Sequence, residues 1–115
     1  MSVTIWHNPR CSKSRQTLAL LQEHGVEPEV RLYLVDAPKR DEIQSVLKAL
    51  GLSAADIVRR GEKRFKELGL SKGTDEAALL DAMSANPILI ERPIVISGDQ
   101  AVIGRPPENA LDLFS

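Results

Sequence analysis

The N-terminal third of the chain has the pattern strand, loop, helix, strand, and this order most narrows the folds open to it. The apolar run 3–6 predicts a strand, residues 12–24 predict a helix that Gly25 stops, and the alternating residues 29–34 predict a second strand. Such a unit places two parallel strands side by side through a right-handed crossover. The loop 7–11 then lies at the C-terminal end of the first strand, directly before the helix.

The middle third predicts helices throughout. One helix has Pro38 at its first position and Gly51 as its stop, and Ser53 with Asp56 resembles a capping box that begins the next. A further helix is predicted over about residues 75–85. Two sets of apolar residues recur at helical spacing: Ile43, Val46, Leu47 and Leu50, then Leu79, Leu80 and Met83.

The C-terminal part predicts a β-hairpin and a last helix. Residues 93–97 and 101–104 are apolar strands joined by Gly-Asp-Gln, which makes them antiparallel. The pair Pro106-Pro107 then opens a helix expected to bury Leu111 and Phe114.

Together these elements predict an α/β fold with a mixed sheet and helices on its faces. A thioredoxin-like fold has this order when a helical insertion, here about 39–86, separates the N-terminal βαβ unit from the C-terminal β-hairpin. A chain of 115 residues has the size of one compact domain, so residues 1–115 are predicted to form a single domain.

Charge and cysteine content exclude several classes of partner and site. The formal net charge is −1, so no global field attracts nucleic acid or an anionic membrane, and any anion must be bound locally. No apolar run is long enough to span a membrane, and no signal peptide is recognisable, which predicts a cytoplasmic protein. One cysteine cannot form an internal disulfide or a cysteine-based metal cluster, so no metal site is predicted.

That single cysteine, Cys11, lies within the polar sequence HNPRCSKSR. A free cysteine is commonly a small buried hydrophobic residue, but these neighbours favour a reactive thiol with a lowered pKa. The cysteine is followed at C-x-x-S spacing by Ser14, which can donate a hydrogen bond but cannot attack a mixed disulfide. A redox cycle that ends in a disulfide therefore needs a second sulfur from outside the chain.

Motifs along the whole chain resemble one family, the ArsC-type arsenate reductases that use glutathione and glutaredoxin. The resemblance rests on HNPRCSKSR, Tyr33-Leu34, LGL at 50–52, PILIERPIV at 87–95 and IGRP at 103–106. The pairing of HNPxC with LIxRPIV is specific, unlike either fragment alone. The chain ends one helix after Arg105, which places it in the shorter branch of the family.

The resemblance implies a role for each matching residue. Cys11 is the nucleophile, and His7 and Ser14 are associated with lowering the pKa of its thiol. Pro93 stands where the family has a cis-proline. Three arginines are implied to bind the oxyanion and its product: Arg59, with the adjacent Arg60 as the alternative, Arg92 and Arg105. Planar guanidinium groups suit tetrahedral oxyanions because they donate two parallel hydrogen bonds.

The implied substrate is arsenate, with glutathione as the co-substrate thiol, glutaredoxin as the protein partner and no bound cofactor. In this scheme Cys11 attacks arsenic, glutathione adds, arsenite leaves, and glutaredoxin reduces the mixed disulfide left on Cys11. Surface salt bridging is the commoner fate of arginine and the alternative for all three.

Three other functions share features with this sequence but account for it less fully. A phosphatase-like reductase needs the loop C-x5-R, and Thr17 occupies the position of that arginine. A monothiol glutaredoxin-like disulfide reductase shares the fold and the cysteine but does not require three arginines. Spx-type regulators, which bind RNA polymerase, typically carry C-x-x-C, and Ser14 interrupts that pair.

Overall fold

A computed structural model describes residues 2–114, and the chain divides into two compact units. One unit contains the chain up to Asp36 together with the chain from Arg92 onward, and the other is Ala37–Glu91. The count of one domain stays a prediction. Within residues 2–114, no helix is both long and apolar enough to cross a membrane.

The first unit is built on a four-stranded mixed sheet. The strands are β1 (Val3–Trp6), β2 (Glu29–Arg31), β3 (Ile94–Ser97) and β4 (Gln100–Ile103). Their order in the sheet is β2-β1-β3-β4, with β1 parallel to β2 and antiparallel to β3, and β3 antiparallel to β4. Helix α1, Ser12–Glu23, connects the two parallel strands. The α/β fold, the βαβ unit and the C-terminal hairpin are thus confirmed.

Strand β2 is shorter than the predicted strand 29–34. It ends at Arg31 because the backbone turns back on itself: the N–H groups of Val35 and Asp36 both donate to the carbonyl oxygen of Leu32, at 3.0 and 2.8 Å. The alternation of apolar residues predicted an extended chain there, but these local hydrogen bonds form a turn instead.

The hairpin between β3 and β4 closes with a two-residue turn. Ser97 and Gln100 face each other in the register, so Gly98 and Asp99 are the central residues. Gly98 has φ +61°, and no residue other than glycine has a positive φ among the described residues. A positive φ at the first central position alone is typical of a type II′ turn, which favours glycine there and matches the twist of the strands.

The last helix differs from its prediction. It is a 3₁₀-helix over Pro107–Phe114, and it buries Pro107 and Ala110. Leu111 is only partly buried, and Phe114 is 42% exposed. A 3₁₀-helix has three residues per turn, so one face repeats at every third position instead of at the α-helical spacing. The buried face therefore runs from Pro107 through Ala110 to the partly buried Leu113.

The core of the first unit lies between the sheet, α1 and the C-terminal 3₁₀-helix. Burial of apolar side chains from all three elements stabilises their packing. Trp6, at the end of β1, is also buried. The fully or nearly buried members of this cluster are Val3, Ile5, Leu21, Val95 and Ala110.

The second unit is helical. Its elements are α2 (Arg40–Leu50), α3 (Ala54–Ile57), α4 (Lys63–Glu67), α5 (Glu76–Ala85) and a 3₁₀-helix (Pro87–Leu89). Helix α2 packs on α5 through the predicted apolar faces, and the following residues of these faces are buried: Ile43, Val46 and Leu47 on α2, and Leu79, Leu80 and Met83 on α5.

The ends of these helices test the local sequence signals. Helix α2 begins at Arg40, so the prediction that Pro38 occupies its first position is wrong. The backbone N–H of Lys39 donates to Glu42 Oε1 at 2.9 Å and fixes the start two residues further along. Gly51 ends α2 with φ +71°, as expected. At α3, the backbone N–H and the hydroxyl of Ser53 both donate to the Asp56 carboxylate, at 2.9 and 3.0 Å, which confirms the predicted role of Asp56.

Candidate active site

The loop that carries Cys11 is organised by Asn8. The Asn8 carbonyl oxygen accepts from the backbone N–H of Cys11 at 3.0 Å, and its side-chain Oδ1 accepts from the backbone N–H of Arg10 at 3.0 Å. These two bonds fold the loop tightly between β1 and α1. An asparagine before a proline is a turn signal, so this residue could have been found in the sequence.

Cys11 itself is the N-cap residue of α1. Its backbone is extended, with φ −93° and ψ 122°, and its exposed fraction is only 9%. The first backbone N–H groups of a helix have no partners within it, and they give this end a partial positive charge that favours an anion. The sulfur therefore combines limited access with a favourable position for a thiolate.

His7 and Ser14 form a buried pair beside this loop. His7 Nδ1 and Ser14 Oγ are 2.6 Å apart, and Ser14 Oγ also accepts from the backbone N–H of Asn8 at 3.0 Å. Both residues are almost fully buried. Among the described residues, neither side chain makes a hydrogen bond to Cys11 Sγ, so their contacts hold the loop in shape. Their effect on the thiol stays a prediction.

The charge state of His7 follows from its surroundings. Burial, and to a smaller extent the positive charge of Arg15, lower the pKa of His7 from its usual 6.5, so the ring is neutral at neutral pH. The Ser14 hydroxyl proton needs an acceptor in this fully buried position, and His7 Nδ1 is the acceptor within reach. We therefore assign the ring proton of His7 to Nε2.

Arg105 contacts the thiol of Cys11. Its Nη2 lies 3.5 Å from Cys11 Sγ, in hydrogen-bonding position, and its Nε donates to the carbonyl oxygen of Arg92 at 2.7 Å. The second bond anchors the guanidinium group while the first directs it at the sulfur. A charge-assisted hydrogen bond of this kind stabilises a thiolate more than a thiol.

The sheet register explains why distant parts of the sequence meet here. Trp6 pairs with Ile94, which in turn pairs with Ile103. The end of β1, the start of β3 and the end of β4 therefore lie side by side at the same end of the sheet. The loop with Cys11, the Arg92-Pro93 pair and the Gly104-Arg105 pair follow or precede these residues directly.

Both arginines in this part of the chain precede a cis peptide bond. The Arg92–Pro93 bond is cis, and so is Arg105–Pro106, which the sequence did not predict. Arg92 is partly buried, and its carbonyl oxygen is the group that receives Arg105 Nε. Arg92 thus contributes its backbone to the placement of Arg105.

Arg59 lies in the second unit and is held by carboxylates. Its guanidinium group forms an ion pair with Glu62, and its Nε lies 3.9 Å from Glu91 Oε1. Its backbone N–H donates to the carbonyl oxygen of Leu89 at 2.7 Å, next to a bridge between Val58 and Ile90. Arg59 is therefore fixed both by its backbone and by its side chain.

Arg60, the neighbouring alternative, is held differently. Its Nη2 donates to the carbonyl oxygen of Ala55 at 3.1 Å, and its side chain is exposed. Both arginines line an open cleft of about 480 Å³ in the second unit, together with Asp56 and Glu91. The choice between them as oxyanion ligand stays a prediction.

The site offers a sulfur and cations. Across residues 2–114, no three His, Cys, Asp or Glu side chains gather in an arrangement that could hold a metal ion. In the first unit, Cys11 Sγ lies beside the guanidinium group of Arg105.

The thioredoxin-like sheet places a cysteine at a helix N-terminus, with an arginine side chain in contact with its sulfur. This arrangement is typical of proteins that react through a cysteine thiol. The family model of the ArsC family matches residues 6–113, and this chain belongs to the ArsC family. It is 51% identical to the uncharacterized protein YfgD of Escherichia coli, over 96% of this chain and 95% of that protein. It is 47% identical to a protein named arsenate reductase in Haemophilus influenzae, over 99% of this chain and all of that protein.

A solved structure gives the same result for the fold. The structure described as arsenate reductase from Vibrio cholerae superimposes with a TM-score of 0.93 at 46% sequence identity, covering 97% of each chain. This agreement confirms the predicted family and the thioredoxin-like fold.

Proposed function

We propose that this protein is an arsenate reductase that uses Cys11 as its nucleophile. The observation that carries the proposal is the 3.5 Å contact between Arg105 Nη2 and Cys11 Sγ, which places a cation where an oxyanion must approach the sulfur. The name arsenate reductase on several full-length relatives supports arsenate as that oxyanion.

The proposed reaction begins with attack of the Cys11 thiolate on arsenic, with loss of one oxygen as water. Glutathione then adds its sulfur to the same arsenic atom. When the two sulfurs bond to each other, each gives one electron, arsenic(V) becomes arsenic(III), and arsenite departs. The sum is one thiol on Cys11, one glutathione and one arsenate giving a Cys11–glutathione disulfide, arsenite and water.

The arginines stabilise the negative charge that moves between oxygen and sulfur in these steps. Arg105 acts at the sulfur, where its Nη2 already lies, and Arg92 and Arg59 are proposed as further ligands of the oxyanion. Bidentate guanidinium contacts fit both arsenate and the leaving arsenite.

Recovery of the thiol needs an external reductant because the chain has a single cysteine. A second glutathione, delivered through glutaredoxin, exchanges with the mixed disulfide and releases Cys11 as a thiol. Glutathione is therefore a co-substrate rather than a bound cofactor. Dependence on a reduced glutathione pool supports a cytoplasmic protein.

The test is NADPH consumption coupled through glutathione reductase, glutathione and glutaredoxin, with arsenate present or replaced by phosphate. We expect turnover with arsenate for the wild type and none above background for Cys11→Ser. Trapping after one turnover without glutaredoxin should add one glutathione to Cys11, visible as a mass increase.

Two results would contradict the proposal. Arsenate-dependent turnover that survives in Cys11→Ser would remove the nucleophile from its role. Turnover of a glutathionylated peptide, with arsenate neither reduced nor competing, would instead identify a monothiol disulfide reductase.

A further inference from the structure

Gly104, between β4 and Arg105, has no room for a side chain. A Cβ atom at this position would lie 2.6 Å from Thr17 Oγ1, 2.9 Å from Thr17 Cγ2 and 2.9 Å from Pro93 Cγ. Separations below 3.0 Å are not found between a Cβ and its neighbours, so any residue larger than glycine forces a shift. Its conformation is not the reason for glycine here, because its φ is not positive. The reason is the closeness of the two neighbours.

Thr17 is a stiff and well-anchored neighbour. It is fully buried in α1, and its hydroxyl donates to the Lys13 carbonyl oxygen at 2.8 Å and approaches the Gly104 carbonyl oxygen at 3.4 Å. A threonine in a helix has only two common χ1 rotamers, and the hydrogen bond to Lys13 holds Thr17 in this one. Contact with Thr17 therefore sets how closely the end of β4 approaches α1.

The opposite side of Gly104 is fixed as well. Its backbone N–H donates to the carbonyl oxygen of Pro93 at 3.0 Å, while Pro93 Cγ occupies the space beside it. Gly104 is thus held between α1 on one side and the start of β3 on the other.

This arrangement bears directly on the thiol. Cys11 begins the same helix α1 that carries Thr17, and Arg105 follows Gly104 in the chain. The distance between Arg105 Nη2 and Cys11 Sγ therefore depends on the contact between Gly104 and Thr17. We propose that Gly104 and Thr17 are positioning residues that set Arg105 against Cys11, an inference that rests on the proposed function for its role in arsenate reduction.

The position of Arg105 can be read without arsenate by alkylating Cys11. Sγ displaces iodide from both iodoacetate and iodoacetamide, but only the first carries a negative charge that Arg105 attracts. The ratio of the two rates cancels changes in thiol access and ionisation. A cation about 4 Å from the anion is worth roughly a 5-fold rate difference in water, so Arg105→Ala should lower the ratio about 5-fold.

Gly104→Ala should lower the ratio by a similar factor, because the new methyl group moves Arg105 away from the sulfur. Adding Thr17→Ala removes two of the three atoms that the methyl group meets and leaves Pro93 Cγ, so the double variant should recover part of the lost ratio. Thr17→Ala alone removes the contact that spaces the end of β4 from α1 without adding a methyl group, so it should lower the ratio less than Gly104→Ala does. The matched control is Gly73→Ala, whose Cβ would meet its nearest neighbour at an ordinary 3.9 Å, and it should change nothing.

A purely structural role for Gly104 would lower thermal stability without changing the ratio, so melting temperatures are measured on every variant. If Gly104→Ala does not fold, Thr17→Val replaces it: this change puts a methyl group where Oγ1 meets Gly104 and should lower the ratio in a folded protein. An unchanged ratio in Gly104→Ala, or in Thr17→Val when it is the variant used, overturns the inference. A double variant whose ratio is no higher than that of Gly104→Ala also overturns it.

The two proposals fail separately. A wild-type protein that does not reduce arsenate but shows this pattern of ratios disproves the function and keeps the positioning role. Arsenate reduction without the pattern disproves the positioning role alone.

Discussion

Arg105 and Arg59 are both proposed to bind the same oxyanion, yet their side chains make different contacts in the structure. Arg105 directs Nη2 at a sulfur and is anchored by a neutral backbone carbonyl. Arg59 is paired with the carboxylate of Glu62, with Glu91 a little further away. Under the proposed function, an oxyanion that binds at Arg59 would have to replace the carboxylate of Glu62. Sequence motifs do not reveal this difference, because they mark both residues simply as arginine.

The largest expected effect comes from removing the guanidinium group next to the thiol. Arg105→Ala should lower kcat/KM for arsenate by about 100-fold, the usual loss for one preorganised donor in a reaction of this kind. Arg105→Lys should fall between, because lysine keeps the charge without the planar pair of donors. The control is Arg40→Ala, which removes a surface ion pair with Asp81. Full activity of Arg105→Ala in steady-state kinetics would show that Arg105 does not act on the arriving oxyanion.

A smaller effect, of opposite sign, is expected at Glu62. Glu62→Gln removes the charge that competes for Arg59, so KM for arsenate should fall about 5-fold, which matches roughly 1 kcal/mol for an ion pair of this kind. The value of kcat should change little. Glu67→Gln, which removes an exposed carboxylate 3.8 Å from Arg64, is the control. A rise in KM for Glu62→Gln would show that the carboxylate supports Arg59 instead of competing for it.

The capping of α3 sets the stability of the region just before Arg59. Ser53→Ala removes the hydroxyl that donates to Asp56, so it should lower the free energy of unfolding and the urea midpoint. The Ser53 hydrogen bonds keep the pKa of Asp56 below its usual 3.8, so this stabilisation is present at neutral pH and is lost as the pH falls through the lowered value. In urea unfolding, the stabilities of the wild type and Ser53→Ala should therefore approach each other in acid. Ser45→Ala, on the exposed face of α2, should not destabilise.

The smallest expected effect is on the pH dependence of stability, through the buried histidine of the Cys11 loop, His7. Because burial lowers the pKa of His7 below 6.5, the unfolded chain binds more protons than the folded one when the pH drops below that value. Stability should fall as the pH decreases from 7.5 to 5, and fall less in His7→Gln. Urea midpoints at the two values measure the slope, with His24→Gln as the control at an exposed histidine. Equal slopes in the wild type and His7→Gln would contradict the assignment.

Local signals in the sequence predicted much of the fold. Gly51 ended α2, Asp56 capped α3, and the glycine before Asp99 closed the hairpin. Each of these depends on a few adjacent residues and on backbone preferences that a short stretch contains. The start and end of β1 were predicted for the same reason.

What the sequence did not predict depends on contacts between distant residues. The face buried by the last helix followed the 3₁₀ repeat, which apolar spacing in eight residues does not distinguish from the α-helical one. The tight fit of Gly104 against Thr17 joins positions 87 residues apart and has no local signature. The bond from Arg105 Nε to the Arg92 carbonyl is likewise a product of strand register.

The type II′ turn at Gly98-Asp99 has a practical consequence. It closes β3 and β4 at the end opposite to Arg92 and Arg105, and both turn residues are exposed. The four residues of each strand separate the turn from the arginines by roughly 13 Å at the usual rise per residue. A fluorophore or an affinity handle attached at Asp99 would report on the protein from a rigid strand pair while leaving the thiol free to react.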